Sequence, residues 1–247
     1  MTYNTKKLFQ DDAYLQTAEA EVVAITETGG IILDQTVFYA TSGGQPGDSG
    51  SLTRADGTQI RIFTTITGTD KSEIVHQPEE GAPTVNVGEK LTLRIDWERR
   101  LKLMRMHTAC HILSVVCPFP ITGAAVGEDE SRVDFAAPDA LYTKELVTEK
   151  MMELVNGNHP IHIKWISDEE LIANPGLVKS KNVRPPVGSG RIRLVEIGEE
   201  AALDSQPCGG THVSMTGEIG ALHIGKIENK GKENRRFRIR FGNVVSV

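Results

Sequence analysis

No run of eighteen or more apolar residues occurs anywhere in this chain, which excludes a membrane-spanning helix. Lys6 and Lys7 lie near the start, but no apolar stretch follows them, so a secretory signal is not expected. Cysteine is scarce: Cys110, Cys117 and Cys208 are too few for a disulfide framework and suit a reducing compartment. Internal repeats and low-complexity tracts are also missing. What is present is 247 residues, of which 39% are hydrophobic and 24% charged. That length allows one large domain or two small ones with a buried core, and the composition argues against a disordered chain. A soluble cytoplasmic protein is expected.

The net charge of −6 argues against an indiscriminate binder of nucleic acid. The charge is uneven, however. Residues 1–92 carry a net −7, residues 93–247 a net +1, and the stretch 218–247 alone a net +4. An acidic front and a locally basic back can meet a polyanion through one face.

The first ninety residues read as β-structure. Glu21–Ile25, Gly30–Asp34, Ile60–Thr65 and Glu89–Ile95 are rich in Val, Ile and Thr, with turn signals between them. Short strands at this spacing predict a small barrel or sandwich. Among them lies FYATSGGQPGDSG, residues 38–50, with four glycines. Its composition fits a flexible hairpin loop, and equally a backbone surface open to a ligand phosphate or ribose.

From Asp96 the pattern changes. Apolar residues at Trp97, Leu101, Met104, Leu113 and Val116 fall at roughly helical spacing, with Asp96 as N-cap and Pro118 as the stop. A second helix is predicted over Thr143–Asn156, with Leu146, Val147, Met151, Leu154 and Val155 on one face and Gly157 ending it. Ser167 to Glu170 is a capping-box pattern opening a short helix before Pro175. Strands are expected at Ile161–Ile166, Ile192–Ile197, Ala221–Glu228 and Arg236–Phe241, and a loop at Val183–Gly190. Strands mixed with a few helices make this part α+β or mixed α/β.

His107 and His111 stand four apart on the first predicted helix, so their rings project from nearly one face. Downstream, Cys208 and His212 flank a Gly-Gly pair whose backbone freedom lets both side chains turn to one centre. Either pair alone fits core histidines and an inert cysteine. Together they offer imidazole and thiolate, the donor set that suits Zn²⁺. A metalloprotease would need a glutamate directly after the first histidine as general base; that position is Thr108, so this class fails.

HTACHIL at 107–113 followed by CGGTHV at 208–213 resembles the editing domain shared by alanyl-tRNA synthetases and the free-standing alanyl-tRNA editing proteins of the AlaX type. FYATSGGQPGDSG is similar to that family's glycine-rich motif. RVDF (Arg132–Phe135) is similar to its RFDF strand, and NKGKENRRFRIRF (229–241) to its closing basic strand. The likeness runs in order from Phe38 to Phe241, and the glycine-rich front resembles the medium-length AlaX class. It implies an α+β protein in which a small N-terminal β-barrel domain, 1–92, precedes a mixed α/β editing domain, 93–247, like the second additional domain of alanyl- and threonyl-tRNA synthetases.

The resemblance also implies an activity. With no room for an ATP-binding class II core, the chain is expected to hydrolyse in trans the ester of serine, or glycine, wrongly joined to alanine tRNA. The implied zinc ligands are His107, His111, Cys208 and His212. Implied contacts to the acceptor end are Gly43, Gly44 and Gln45. Where synthetase editing domains carry Gln-Lys-Gly-Ser, this chain has Ile121-Thr122-Gly123-Ala124, and Thr122 stands where free-standing editors recognise the serine hydroxyl. Taken by itself, Thr122 also fits a loop threonine bonded to local backbone. For the tRNA acceptor stem the favoured cations are Lys226, Lys230, Lys232, Arg235, Arg236, Arg238 and Arg240, although the alternation in 236–241 also fits any half-exposed strand. The competing expectation is a zinc-stabilised tRNA-binding module without hydrolysis, suggested by the departures at Cys110 and Ala124. An ATP-dependent ligase fragment fits the sequence poorly.

Overall fold

A computed structural model describes residues 3–69, 71–137, 142–182 and 190–243. The loop expected at Val183–Gly190 therefore lies, apart from Gly190, outside the described residues. The chain forms two compact units, Met1–Leu101 and Lys102–Val247.

The first unit contains β1 (Lys6–Lys7), β2 (Thr17–Ile25), β3 (Ile31–Leu33), β4 (Gln35–Thr36), β5 (Gly50–Thr53), β6 (Gln59–Thr67), β7 (Ile74–Pro78) and β8 (Lys90–Ile95). Six of these close into an antiparallel barrel in the order β2-β3-β7-β6-β5-β8. Closure pairs every strand on both sides and leaves no edge among them. Strict alternation builds the interior: in β8, Leu91, Leu93 and Ile95 point inward while Lys90, Thr92 and Arg94 face out. They meet Val22, Leu33, Phe38, Leu52, Ile60 and Ile62 in one apolar cluster. Strands β5 and β7 escape the sequence reading. The first opens on a glycine, and the second mixes His76, Gln77 and Pro78 into its run.

The glycine-rich segment forms a hydrogen-bonded hairpin turn. Ser42 and Gln45 exchange two backbone hydrogen bonds of 2.9 and 3.1 Å, with Gly43 and Gly44 at φ +55° and +86° forming the turn between them. Two successive positive φ values are what a tight hairpin turn with the right strand twist demands, and glycine meets them without strain. At Gly47 any side chain would overlap the Thr65 carbonyl. Asp48, 1% exposed, accepts from the Tyr39 amide at 2.6 Å and is ion-paired with the fully buried Arg100. Arg100 also donates to the Val37 and Ala13 carbonyls at 2.7 and 3.0 Å. The exposed part of the segment is reduced to Thr41–Gly44, at the turn.

Helix α1 (Trp97–Val116) begins at the end of the first unit and continues into the second. Asp96 caps it, its carboxylate accepting from the Arg99 amide at 3.2 Å. The second unit continues with β9 (Ile121–Ala125), β10 (Glu130–Phe135), α2 (Lys144–Asn156), β11 (Ile161–Ile166), α3 (Asp168–Ala173), β12 (Ile192–Ile197), β13 (Asp204–Pro207), β14 (Leu222–Asn229) and β15 (Arg235–Phe241). They form an antiparallel four-stranded sheet, β14-β15-β10-β9, and a three-stranded one, β11-β12-β13.

Local signals account for most helix ends. Ser167 and Glu170 form the reciprocal capping box at 3.2 and 2.7 Å. Thr143 caps α2, but the left-handed residue beyond its end is Asn158, at φ +49°, while Gly157 stays right-handed. Helix α1 departs further from expectation. Instead of one apolar stripe, all residues from Met106 to Ser114 are buried. His107, Thr108, His111 and Ser114 are thereby enclosed and must find polar partners inside the protein.

Candidate metal centre

Two elements supply the centre. One is α1; the other is β13 with the turn Cys208–His212 that follows it. Period-two alternation sends Asp204 and Gln206 of β13 toward the same side, both buried, and Cys208 continues the series. Arg193 on β12 fixes the turn, donating to the carbonyls of Cys208 and Gly210 at 2.8 and 2.9 Å. The sequence-expected ligands come together here: one donor atom from each of His107, His111, Cys208 and His212 lies within 4.8 Å of the others. The Cys208 sulfur is 3.5 Å from His107 Nε2 and 3.3 Å from His212 Nε2. A tetrahedral zinc with ordinary Zn–S and Zn–N bonds separates such ligands by roughly 3.5 Å. The donor set and its spacing fit that ion.

Sequence reasoning missed the groups that aim these ligands. His111 Nδ1 donates to Asp204 at 3.1 Å, which leaves Nε2 turned to the cluster. Asp204, with no exposed side-chain surface, is also paired with Lys179 and accepts from Gln206 Nε2 at 2.7 Å. His212 Nδ1 lies 3.1 Å from the Thr108 hydroxyl. Donation to that hydroxyl leaves Nε2 for the metal, so the residue that excluded a protease fixes a ligand instead. A D-x-Q-x-C series at strand spacing was the available signal, but it means nothing until a strand is known to run there.

The electrostatics suit a cation. Burial disfavours a charged thiol, but His107 and His212 beside it outweigh that and hold Cys208 well below the ordinary thiol range. Burial, reinforced by His107, lowers His212 to about 3, so its ring is neutral. Burial would lower His111 as well, yet the bonds to Asp204 and Cys208 prevail and raise it to about 9. At neutral pH the ring is thus protonated at both nitrogens, with Nδ1 held by Asp204, and a bound metal would displace the Nε2 proton. Cys110, by contrast, is enclosed and pushed up to about 12 by burial, so it stays an inert thiol.

The other expected residues are placed less simply. Gly43 and Gly44 are exposed at their turn, but Gln45 is fully buried, because its backbone closes that turn and draws the side chain inward. Thr122 stands on strand β9 rather than in a loop, and its hydroxyl donates to Asn234 at 3.2 Å. Of the seven cations, Arg235 is buried and donates to Asn229 Oδ1 and to the carbonyls of Gly231 and Asn234, holding the β14–β15 hairpin. Arg236 makes a two-pronged pair with Asp134 at 2.8 Å. Arg238 pairs with Glu228 and Glu130 at 2.6 and 2.5 Å, and Arg240 with Glu130 at 2.6 Å. The β15 arginines are thus bound up in a charge ladder across β10, β15 and β14. Lys226, Lys230 and Lys232 are exposed, Lys226 lying 3.7 Å from Glu228.

Residues 192–238 match the family described as threonyl and alanyl tRNA synthetase second additional domain, and residues 3–99 match tRNA synthetases class II (A). The chain is 38% identical to alanyl-tRNA editing protein AlaX-M of Methanosarcina mazei, over 94% of both chains. It belongs to the AlaX-M family of alanyl-tRNA editing proteins. A second member, from Methanosarcina acetivorans, is 36% identical over 94% of this chain and 97% of its own. Alanine–tRNA ligase of Pyrobaculum aerophilum is 34% identical over 91% of this chain but only 25% of its own length. The AlaX-M likeness therefore spans both units and the whole candidate centre. No helix among the described residues is long and apolar enough to cross a membrane.

Proposed function

We propose that this chain is a zinc-dependent aminoacyl-tRNA hydrolase that removes serine, or glycine, wrongly attached to alanine tRNA. The observation that carries this reading is the convergence of His107, His111, Cys208 and His212 in a member of an editing family. The need for such an enzyme is physical. A synthetase pocket sized for alanine cannot strongly reject an analogue that adds one hydroxyl, or a smaller one, so a second site must supply the discrimination. The first unit serves as the barrel domain that presents the glycine-rich turn, running past the expected boundary at 92 because β8 continues to Ile95, and the second unit serves as the editing domain. A cytoplasmic location follows from the substrate.

His107, His111, Cys208 and His212 would hold the ion, which when bound polarises an ester carbonyl or a water. Asp204 and Thr108 keep the rings of His111 and His212 turned so that Nε2 faces the centre. Thr122 reads the amino-acid hydroxyl. Gly43 and Gly44 offer exposed backbone to the acceptor end, with Gln45 supporting the turn from inside. Lys230 and Lys232 on the β14–β15 hairpin, with Lys226, are the cations best placed to meet phosphate.

The test is single-turnover deacylation of seryl-tRNA(Ala) beside alanyl-tRNA(Ala) by the zinc-loaded protein. Rapid loss of serine with alanine largely spared is expected. Hydrolysis of neither ester by a folded, zinc-bearing protein would leave a zinc-stabilised tRNA-binding module. His107→Ala separates the two roles of the metal: activity lost with folding kept marks a catalytic ion, and folding lost marks a structural one.

A further inference from the structure

The backbone around Thr122 is fixed by the segment 179–182. The Ile121 amide donates to the Lys179 carbonyl at 2.9 Å, the Lys181 amide to the Ile121 carbonyl at 2.8 Å, and the Asn182 side chain to the Thr122 carbonyl at 2.9 Å. Its hydroxyl has one partner among the described residues, Asn234 Oδ1 at 3.2 Å. Asn234 is fixed as well. Its carbonyl accepts from the Lys230 amide at 2.9 Å and from the buried Arg235 guanidinium at 3.0 Å. Both side chains are half-buried.

The hydrogen-bond inventory of this pair is informative. A threonine hydroxyl has one donor and two acceptor sites, and an asparagine amide has two donors and an accepting oxygen. With the Thr122 hydrogen given to Asn234 Oδ1, the Thr122 oxygen retains an acceptor site, and Asn234 Nδ2 has no protein partner among the described residues. Turning the amide over exchanges these roles and leaves the pair again with one donor and one acceptor side by side. A hydroxyl is the small group that needs both, since it donates one hydrogen bond and accepts another. A methyl group needs neither, and leaves both protein groups unmatched in a partly desolvated place.

We propose that Asn234 is a specificity-determining residue that reads the hydroxyl of the substrate amino acid jointly with Thr122. Thr122 accepts from that hydroxyl and Asn234 Nδ2 donates to it. This rests on the reading of Thr122 as the hydroxyl-recognising residue and extends it to a second side chain on a different element. It also explains the buried Arg235: three of its bonds hold the hairpin residues that position Asn234 rather than a nucleic acid.

The test compares wild type, Thr122→Val, Asn234→Ala, Asn234→Asp and the double variant Thr122→Val/Asn234→Ala. Each is assayed by single-turnover deacylation of seryl- and glycyl-tRNA(Ala), with melting temperature and zinc content measured alongside. Asn234→Ala is expected to lower kcat/KM for the seryl ester roughly tenfold or more, with the glycyl ester changed by less than about twofold. Asn234→Asp keeps an acceptor for Thr122 but has no donor, and is expected to match the alanine variant even if that variant folds poorly. The double variant should be little worse than either single one, because the two groups hold one hydroxyl. An unchanged seryl-to-glycyl ratio in both Asn234 variants, with the ratio lost in Thr122→Val, overturns the role of Asn234 and leaves that of Thr122 standing. Equal losses on both esters make Asn234 a hairpin tie and also overturn the proposal. A ratio unchanged in Thr122→Val as well removes the reading of Thr122 itself, and wild-type protein that hydrolyses neither ester removes the hydrolase.

Discussion

Asp204 should control the zinc affinity of the proposed centre although it is not one of the four ligands. Its carboxylate has no exposed surface, accepts the His111 Nδ1 hydrogen at 3.1 Å, and is shared with Lys179 and Gln206. Two things depend on it: the orientation of the His111 ring and the electron density at His111 Nε2. Partners of this kind typically affect metal affinity ten- to hundredfold, or about 1.4–2.7 kcal/mol. Asp204→Asn keeps an oxygen for the Nδ1 hydrogen but removes the charge, so it should fall near tenfold. Asp204→Ala loses both and strands the half-buried Lys179 ammonium, so it should reach the upper end, about hundredfold. The measurement is competition for zinc against a chromophoric chelator at fixed pH, with circular dichroism of each variant to confirm the fold. Wild-type affinity in both folded variants would refute the argument and mean that helix packing alone orients His111.

Removing Arg100 should destabilise the protein severely. Arg100→Met leaves the buried Asp48 carboxylate without its counter-ion, a loss of about 3–5 kcal/mol in urea unfolding, and Asp48→Asn in the same chain should recover part of it. His76 predicts a pH dependence. It is fully buried, bonded to Thr36 at 2.7 Å and to the Ile31 carbonyl at 3.0 Å, and burial lowers its pKa to about 4 from 6.5. The unfolded chain therefore binds the extra proton between those values, so this stability is complete above pH 6.5 and lost as pH falls toward 4, by roughly 3 kcal/mol. His76→Gln should flatten the slope over that window in urea titrations; an identical slope would remove His76 as its cause. Lys230→Ala/Lys232→Ala should weaken tRNA binding and reduce the slope of log K against log salt by about 2. Arg236→Gln, whose partner is Asp134, should change unfolding stability more than that slope.

The parts legible in the sequence are those whose cause is local. Capping at Asp96 and Ser167, alternation in β8 and the strands at Ile161–Ile166 and Ile192–Ile197 each depend on residues within one turn or one strand. The paired ligands are legible for the same reason, since each pair has its own spacing. What stayed hidden depends on pairing between distant segments. β9, Ile-Thr-Gly-Ala-Ala, has little strand character of its own and exists because β10 and the segment around Lys179–Lys181 bond to its two sides. Gln45 is expected as a contact from the resemblance and Arg235 from the basic stretch around it, and both are buried. Their burial follows from a hairpin turn and a carbonyl cage that no local pattern announces.

The same division separates two tasks in the second unit. Three ligands of the candidate metal centre, His111, His212 and Cys208, are held by buried partners on other elements, so a change there leaves an unsatisfied polar group and costs folding or metal affinity together. Thr122 and Asn234 are half-buried, on a strand and a hairpin whose backbones are fixed independently of their side chains. Substitution at these two positions can therefore alter which amino acid is recognised without disturbing the groups that aim His111 and His212. On the proposed reading, chemistry belongs to the enclosed cluster and selectivity to the half-buried pair. On this argument Thr122→Val should keep wild-type zinc affinity while losing preference for serine, and Asp204→Asn should do the reverse. Variants that fail together in both assays would show that the two tasks are not separable in this fold.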